Sequence, residues 1–349
     1  MNGLSLFANV GIAETYLGDL GFHVKVANEL LPSRADFYRH LHSDCNMICG
    51  DITNKEIFSK VMKEAKKEKV KFILATPPCQ GMSQAGRMDE NDVRNTLIVK
   101  VMEAIEILNP EFVLIENVAQ MLKTSIIHNG KIIKITDFIN SICEKDYHVK
   151  FDVLNAADYG TPQSRKRAII RIYKKKYEWV NPIKQSHISV EQAIGHLPTL
   201  ESGQDSGIIY HKAKTHNSRH ILWMKHTPTG KTSFDNLIHY PRKDNGEKIK
   251  GFRTTYKRMD WHRPAPTITM ANGSISSQNN VHPGRLQEDG TYSDARVLTL
   301  LELFYLMGLP PEWKPKEHST EQLVREVIGE AVPPKLLKAL FAEISHYVK

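Results

Sequence analysis

The chain has 349 residues, of which 41% are hydrophobic and 25% are charged. These proportions are those of soluble globular proteins and exclude wholesale disorder, a collagen-like repeat and a low-complexity chain. No apolar run approaches the roughly 20 residues that cross a membrane, and the first residues lack the order of a signal peptide. Since four cysteines are too few for a disulfide framework, we expect free thiols or ligands in a cytoplasmic protein. At about 100 to 200 residues per domain, the length predicts two domains.

Short apolar runs alternate with helical patterns in the first half of the chain. The runs are rich in β-branched or large apolar residues and short enough for buried strands. They lie at 3–8, 22–27, 70–75 and 112–115. Between them, 54–67 and 93–108 space apolar residues for helices, the first behind an Asn54 cap. This alternation predicts an α/β fold around a doubly wound, mostly parallel sheet.

The composition and periodicity of the sequence change after Arg171. Residues 172–262 are rich in His, Lys, Gly, Asn and Thr with weak periodicity, which predicts an irregular second domain. Apolar order returns at Val297, and 333–348 carries a helical apolar stripe behind a Pro-Pro start.

The net charge of +8 is concentrated in the second half of the chain. Between residues 211 and 258, twelve Lys and Arg stand against three acidic residues. This balance favours a polyanion partner, because each phosphate neutralised by Lys or Arg releases condensed counterions. A solvated basic surface explains it equally well. The aromatic residues among these cations either stack on bases or form a local core. They are Trp223, Tyr240, Tyr256 and Trp261.

Polar side chains come directly after or before the apolar runs. Cys79 follows the third run, Glu116 and Asn117 follow the fourth, and Arg165 and Arg167 precede another. In open α/β sheets, ligands bind beyond the carboxyl ends of the strands. Taken one at a time, these residues also fit a buried thiol, a helix cap and a surface pair.

Taken together, these residues resemble a known family. Pro-Cys-Gln at 78–80, Glu-Asn-Val at 116–118 and Gln-x-Arg-x-Arg at 163–167 are similar to motifs of the cytosine-C5 methyltransferases, which use S-adenosylmethionine. The resemblance continues at 92–97, 263–269 and 329–334 and covers nearly the whole chain.

The resemblance implies a Rossmann-like fold for a catalytic domain at residues 1–175 plus 321–349. It implies a smaller, irregular, mainly β target-recognition domain at 176–320, with DNA lying between the two domains.

The resemblance also assigns chemical roles. Carbon 5 of cytosine is a poor nucleophile, and a thiolate added to carbon 6 activates it; Cys79 is the expected nucleophile. Glu116, positioned by Asn117, is expected to donate a proton to the ring nitrogen. Arg167, with Arg165 beside it, is expected to stabilise the electron-rich ring. The target base must leave the duplex for this chemistry.

S-adenosylmethionine is the implied cofactor, with S-adenosylhomocysteine as product and no metal. Glu29 suits the ribose hydroxyls and Asp51 the adenine amino group. The remaining expected cofactor contacts are Phe7, Gly11, Pro78 and Leu97. The loop after Cys79 is expected to contact DNA and fill the space of the flipped base. Its expected DNA contacts are Gln80, Ser83, Gln84 and Arg87.

The sequence departs from the family pattern at three positions. Ser5 replaces an acid or proline, Asn9 replaces the first glycine of the cofactor loop, and Glu330 replaces an asparagine. Because Asn tolerates left-handed backbone, we expect Asn9 to keep the turn. The His and Cys residues at 40–49 lack the spacing of a zinc site.

A DNA cytosine-C5 methyltransferase of a bacterial restriction–modification system is the function that the resemblance implies. The expected partners are double-stranded DNA and a cognate endonuclease that acts on the same site without direct contact, and we expect a monomer that binds no membrane. A tRNA cytosine-C5 methyltransferase is one alternative, although the Cys-Phe-Thr tripeptide expected of it is absent. A catalytically silent DNA-binding regulator is another, although it has no need of the catalytic motifs.

Overall fold

The computed structural model describes residues 1–78 and 97–348. The chain divides into two units. The first comprises Met1–Asn155, Lys166–Ile183 and Leu336–Lys349, and the second comprises Ala156–Arg165 and Lys184–Lys335.

The strands, in chain order, all belong to the first unit. They are β1 (Asn2–Leu6), β2 (His23–Glu29), β3 (Asn46–Cys49), β4 (Phe72–Ala75), β5 (Phe112–Val118), β6 (Ser125–His128), β7 (Lys131–Lys134), β8 (Tyr147–Asn155) and β9 (Lys166–Lys174). The helices are α1 (Pro32–Leu41), α2 (Lys55–Lys67), α3 (Leu97–Leu108), α4 (Ile135–Cys143), α5 (Val190–Ile194), α6 (Ser218–Lys225), α7 (Leu300–Met307), α8 (Glu321–Glu330) and α9 (Pro334–Ala342).

Within the described residues, the first unit contains a seven-stranded sheet in the order β3-β2-β1-β4-β5-β9-β8. The strands from β3 to β5 pair in parallel, whereas β9 runs antiparallel to both β5 and β8. The chain steps outward from β1 to β2 and β3 on one side and continues with β4 and β5 on the other. This reversal of strand order places a crevice beyond the carboxyl ends of β1 and β4, where doubly wound sheets bind ligands. The predicted mostly parallel α/β sheet is confirmed.

Helices cover both faces of this sheet. Ile73 of β4 belongs to the apolar core that includes Val61 and Met62 of α2. Its neighbour Phe72 packs on the other side, with its ring centroid 5.4 Å from that of Phe22 and 5.6 Å from that of Phe341 in the last part of the chain. Because adjacent strand residues point to opposite faces, α2 and α9 lie on opposite sides of the sheet.

The second unit, all of whose residues are described, has no strand longer than an isolated bridge. The β character expected for this domain is therefore limited to single pairs such as Thr232 with Lys257. Trp223 and Tyr256 lie in a small apolar core with Val281 and Val297, and loops joined by side-chain hydrogen bonds surround it.

A buried ion network holds the second unit together. The Arg296 guanidinium donates to both oxygens of Glu302 at 2.8 and 2.9 Å and to Asp294 at 2.7 Å. Although burial acts to raise the pKa of Glu302, Arg296 and His282 hold that pKa well below its ordinary value. Burial, assisted by Arg296, lowers the pKa of His282 to about 4. Glu302 also accepts the backbone N–H of Thr299, the cap of α7.

The bounds of the two units differ from the predicted domains. Residues 156–165 and 321–335 lie in the second unit, and 176–183 lie in the first. Hydrogen bonds explain the first two differences. Arg165 Nη1 donates to the Ile268 carbonyl at 2.8 Å, and Arg325 donates to Asn272 Oδ1 at 3.1 Å. Trp179 Nε1 donates to the Leu340 carbonyl at 2.8 Å and so holds its segment in the first unit.

The cysteines and the helix lengths bear on two predictions made from composition. Cys45, Cys49 and Cys143 are free thiols, as expected. Every helix of residues 1–78 and 97–348 falls short of the length and apolarity that a membrane crossing requires.

Candidate active site

The loop after β1 turns sharply at the point where the strand order reverses. Phe7, Asn9 and Gly11 have left-handed φ angles of 59°, 50° and 78°. The expectation that Asn9 keeps the turn is therefore confirmed. The Ala8 N–H donates to the Asn28 carbonyl and Thr76 Oγ1 to the Phe7 carbonyl, each at 2.9 Å. These bonds fix the loop to the ends of β2 and β4.

Glu29 and Asp51 lie at the ends of neighbouring strands. Glu29 is buried, and its two oxygens accept the N–H groups of Asn9 at 2.9 Å and Leu31 at 3.0 Å. Asp51 is exposed, and its Oδ1 accepts the N–H and hydroxyl of Thr53, both at 2.8 Å. Because a carboxylate offers about four acceptor sites, both groups retain capacity for a ligand.

Asn28 was not found by the sequence analysis, yet it aligns these two strand ends. Its buried Nδ2 donates to the carbonyls of Ile48 at 2.9 Å and Gly50 at 3.0 Å. A polar residue inside an otherwise apolar run, one position before an acid, was the available signal. Asn28 thus acts as a positioning residue for the segment that carries Asp51.

Gly11 was expected to allow close approach of the cofactor. In the structure, the side chains of His42 and Tyr38 lie close to Gly11. A Cβ at Gly11 would lie 2.3 Å from His42 Nε2 and 2.8 Å from the Tyr38 ring. The same His42 nitrogen lies 3.1 Å from the Gly11 carbonyl oxygen. A side chain at this position would displace the loop from α1 whether or not a ligand is present.

A buried polar group lies beneath this loop and was also missed. Tyr38 donates its hydroxyl to the Glu14 carboxyl and lies 3.6 Å from the thiol of Cys45. Burial raises the pKa of Glu14 and, together with the Glu14 charge, raises the pKa of Cys45 to about 12. Ser5, one of the departures from the family pattern, donates a hydrogen bond to Glu14. The hydroxyl at position 5 therefore gives the buried Glu14 carboxyl a hydrogen-bond donor from β1.

Glu116 and Arg167 meet at the carboxyl edge of β5. Arg167 Nε lies 2.9 Å from Glu116 Oε1, and both side chains are largely buried. The antiparallel register pairs Val118 with Arg167, so the first residues of β9 lie beside the last residues of β5. The structure thus brings together an acid and a cation that the sequence separates widely.

Asn117 connects this edge to the next strand. Its Nδ2 donates to the Pro77 carbonyl at 3.1 Å. Pro77 and Pro78 directly precede Cys79, which lies outside the described residues. The predicted loop residues Gln80, Ser83, Gln84 and Arg87 also lie outside them. Leu97 begins α3 and packs against the apolar core of the first unit.

Arg165 has different surroundings from Arg167. It is buried in the second unit, where its terminal nitrogens donate to the carbonyls of Ile268 at 2.8 Å and Glu330 at 3.0 Å. The main chain of Glu330 therefore helps to hold Arg165. The neighbouring Gly329 is required, because a Cβ there would lie 2.3 Å from the Thr269 carbonyl.

The aromatic residues of the basic segment mostly form local core. Trp223, Tyr256 and Trp261 are buried. Tyr240 is half-buried, and the Lys248 ammonium lies over its ring, 4.4 Å from the ring centroid.

The His and Cys residues at 40–49 contact protein groups. His42, Cys45 and Cys49 contact Gly11, Tyr38 and Leu30 respectively. Residues 1–78 and 97–348 contain no group of three or more His, Cys, Asp or Glu arranged to hold a metal ion.

Comparison with known proteins identifies relatives along the whole chain. A type II methyltransferase of Avibacterium volantium, M1.HgaI, is 50% identical over 347 residues, which are 98% of this chain and 97% of that protein. The type II methyltransferase M1.HphI of Haemophilus parahaemolyticus is 28% identical over 97% of this chain and 84% of its own. A prophage-encoded Escherichia coli protein, described as a DNA modification methyltransferase, has a similar fold, with a TM-score of 0.73, 19% identity and 99% of both chains covered. Residues 1–346 match the model of the C-5 cytosine-specific DNA methylases, and the chain belongs to that family.

Proposed function

We propose that this protein is the modification enzyme of a type II restriction–modification system and methylates carbon 5 of a cytosine within a short DNA target. The observation that carries the proposal is the Glu116–Arg167 pair, 2.9 Å apart at the end of β5, where the neighbouring Asn117 donates to the Pro77 carbonyl. The relative M1.HgaI, named a type II methyltransferase, supports it through 50% identity. A partner endonuclease would cleave the same site when it is unmethylated, and the protein would act as a monomer in the bacterial cytoplasm.

The residues around the strand-order reversal fit S-adenosylmethionine. The donor set combines two carboxylates with a loop whose left-handed residues bring main chain to the crevice. Glu29 would accept the ribose hydroxyls and Asp51 the adenine amino group, and Phe7, Gly11, Pro78 and Leu97 would line the site. When bound, the cofactor supplies an electrophilic methyl group on a sulfonium sulfur.

The reaction assigns a step to each residue of the strand edge. The Cys79 thiolate adds to carbon 6 of the flipped cytosine, and the electron pair of the ring double bond moves to carbon 5. Glu116 donates a proton to the ring nitrogen as this charge develops, and Arg167 stabilises the adjacent oxygen. After carbon 5 has taken the methyl group, a base removes its proton and the thiolate leaves. Asn117 holds Pro77, and therefore the segment before Cys79, at the fixed edge of β5.

We assign the first unit to catalysis and the second to target recognition. Arg165 contributes by holding residues 268 and 330 around its own segment, because its terminal nitrogens already donate to their carbonyls. The predicted loop residues Gln80, Ser83, Gln84 and Arg87 would contact the DNA backbone and occupy the space of the flipped base.

The test is methyl transfer from tritiated S-adenosylmethionine to unmethylated genomic DNA or to bulk tRNA, followed by bisulfite sequencing of the acceptor. We expect label in DNA at cytosines of one short motif, and we expect the Cys79→Ser variant to lose it. Label confined to tRNA would contradict the proposed substrate. Specific DNA binding without methyl transfer, unchanged in Cys79→Ser, would contradict the proposed enzyme.

A further inference from the structure

Two large apolar side chains protrude from the basic segment of the second unit. Leu237 is 94% exposed and Ile238 is 73% exposed, and they occupy the middle of the four-residue turn 236–239. When a partner removes two adjacent apolar side chains of this exposure from water, their burial stabilises the complex. The turn is therefore a candidate contact surface.

This turn is held firmly from behind. Asn236 Nδ2 lies within 3.2 Å of the Trp223 carbonyl, 3.1 Å of Thr227 Oγ1 and 2.7 Å of the His239 carbonyl. The His239 ring stacks on His226, with centroids 3.9 Å apart and planes 20° apart. Because both ends of the turn are fixed to α6 and the residues after it, the two apolar side chains do not collapse onto the domain. A prearranged surface of this kind binds at a low cost in conformational entropy.

The charges around the turn favour a polyanion. All three acids of residues 231–257 already have a cation: Asp235 pairs with Arg253 at 2.5 Å, Glu247 with Lys243 at 2.9 Å, and Asp244 with Arg219. Five cations of the same segment have no ion-pair partner among the described residues. They are Lys231, Arg242, Lys248, Lys250 and Lys257. An apolar tip inside a field of unpaired cations matches duplex DNA, which presents apolar base surface between two rows of phosphates.

We propose that Leu237 and Ile238 contact base-pair edges of the target duplex and help to determine its sequence, while the surrounding lysines bind the flanking phosphates. Apolar side chains discriminate bases by contact with the methyl group of thymine. This group lies in the major groove and is absent from the other three bases. This inference rests on the proposed function, since it names the recognition element for the same DNA substrate.

The experiment compares three variants with the wild type on the target found by bisulfite sequencing and on duplexes with one altered base pair. The first is Leu237→Ser with Ile238→Ser, the second is Lys248→Ala with Lys250→Ala, and the third is Ile183→Ser. Ile183 is 88% exposed in the other unit and serves as the matched control. Dissociation constants are measured by fluorescence anisotropy across a range of salt concentrations, and thermal melts verify that each variant folds.

For the Leu237/Ile238 variant, we expect the ratio of the dissociation constants for altered and target duplexes to fall about tenfold. The salt dependence of its binding should be unchanged. The lysine variant should weaken binding to all duplexes similarly and lower the salt slope by about 1 for each phosphate that the protein no longer neutralises. The Ile183→Ser variant should match the wild type. Wild-type discrimination in the folded Leu237/Ile238 variant would overturn the inference. Failure of the wild type to methylate any DNA would instead overturn the proposed function, before the variants are compared.

Discussion

Arg167 lies opposite Val118 in the antiparallel ladder, and its Nε is 2.9 Å from Oε1 of Glu116. This pairing depends on the direction of one strand. If β9 ran parallel to β5, its first residues would lie at the amino end of β5, at the opposite edge of the sheet from Glu116. The reversed direction of β9 is what brings the cation of the Gln-x-Arg-x-Arg motif to the acid of the Glu-Asn-Val motif.

Glu116→Gln is expected to lower kcat by about 100-fold or more, because the amide cannot donate the proton that the thiol addition requires. The amide oxygen still accepts from Arg167, so DNA binding and the thermal melt should change little. Single-turnover methylation of the target duplex measures the effect, with DNA affinity measured in parallel. Wild-type turnover in Glu116→Gln would remove the acid from the mechanism.

Glu29→Gln is expected to raise the dissociation constant of S-adenosylmethionine by about 10-fold, because a hydrogen bond to a charged acceptor is replaced by a weaker neutral one. Titration calorimetry with S-adenosylhomocysteine measures the affinity directly. Glu144→Gln, a change of the same kind at an exposed position of the first unit, is the control. Equal affinities in the two variants would contradict the cofactor role of Glu29.

Glu14→Gln is expected to increase the stability of the first unit at neutral and alkaline pH. Burial raises the pKa of Glu14 above its ordinary value of 4.5. A group with a raised pKa stabilises the fold fully below its unfolded pKa, and this contribution is lost as the pH rises through the folded pKa. Glutamine keeps an acceptor for Tyr38 and carries no charge, so the advantage of the variant should grow above pH 4.5. Thermal melts from pH 4 to pH 8 test this, and a constant difference across that range would contradict it.

Arg296→Met is expected to destabilise the second unit by about 3 to 5 kcal/mol, because it leaves the buried carboxylates of Asp294 and Glu302 without their cation. Arg263→Met is the matched control, since Arg263 is exposed and its contact with Asp260 spans 3.7 Å; its effect should lie within about 0.5 kcal/mol. Urea unfolding followed by tryptophan fluorescence compares the two. Equal stabilities would show that the buried network does not hold the unit.

The same network sets a pH dependence. The folded pKa of Glu302 lies well below its ordinary value of 4.5, so its contribution is present above that value and is lost as the pH falls through the folded pKa. Acid should therefore destabilise the second unit of the wild type.

Several features of the chain follow from local sequence. The apolar runs predicted β1, β2, β4 and β5, and the Asn54 cap predicted the start of α2, because strand burial and capping depend on residues close in the chain. The motifs were sufficient to recognise the family, since each lies in a short stretch.

The tertiary structure decided which of these residues meet. Sequence analysis grouped Arg165 with Arg167, yet one holds carbonyls in the second unit and the other pairs with Glu116 in the first. It also missed Asn28, Glu14 and Arg296, which hydrogen-bond to Ile48, Tyr38 and Leu200 at separations of 20, 24 and 96 residues.

The sequence by itself therefore determined the fold class and the family and indicated the side chains proposed to react, because these are recorded in local patterns. The direction of β9, the partners of the buried charges and the exposed turn at Leu237 were decided by the folded chain. A buried charge or amide must find its partner wherever packing brings one, and sequence separation does not constrain that choice.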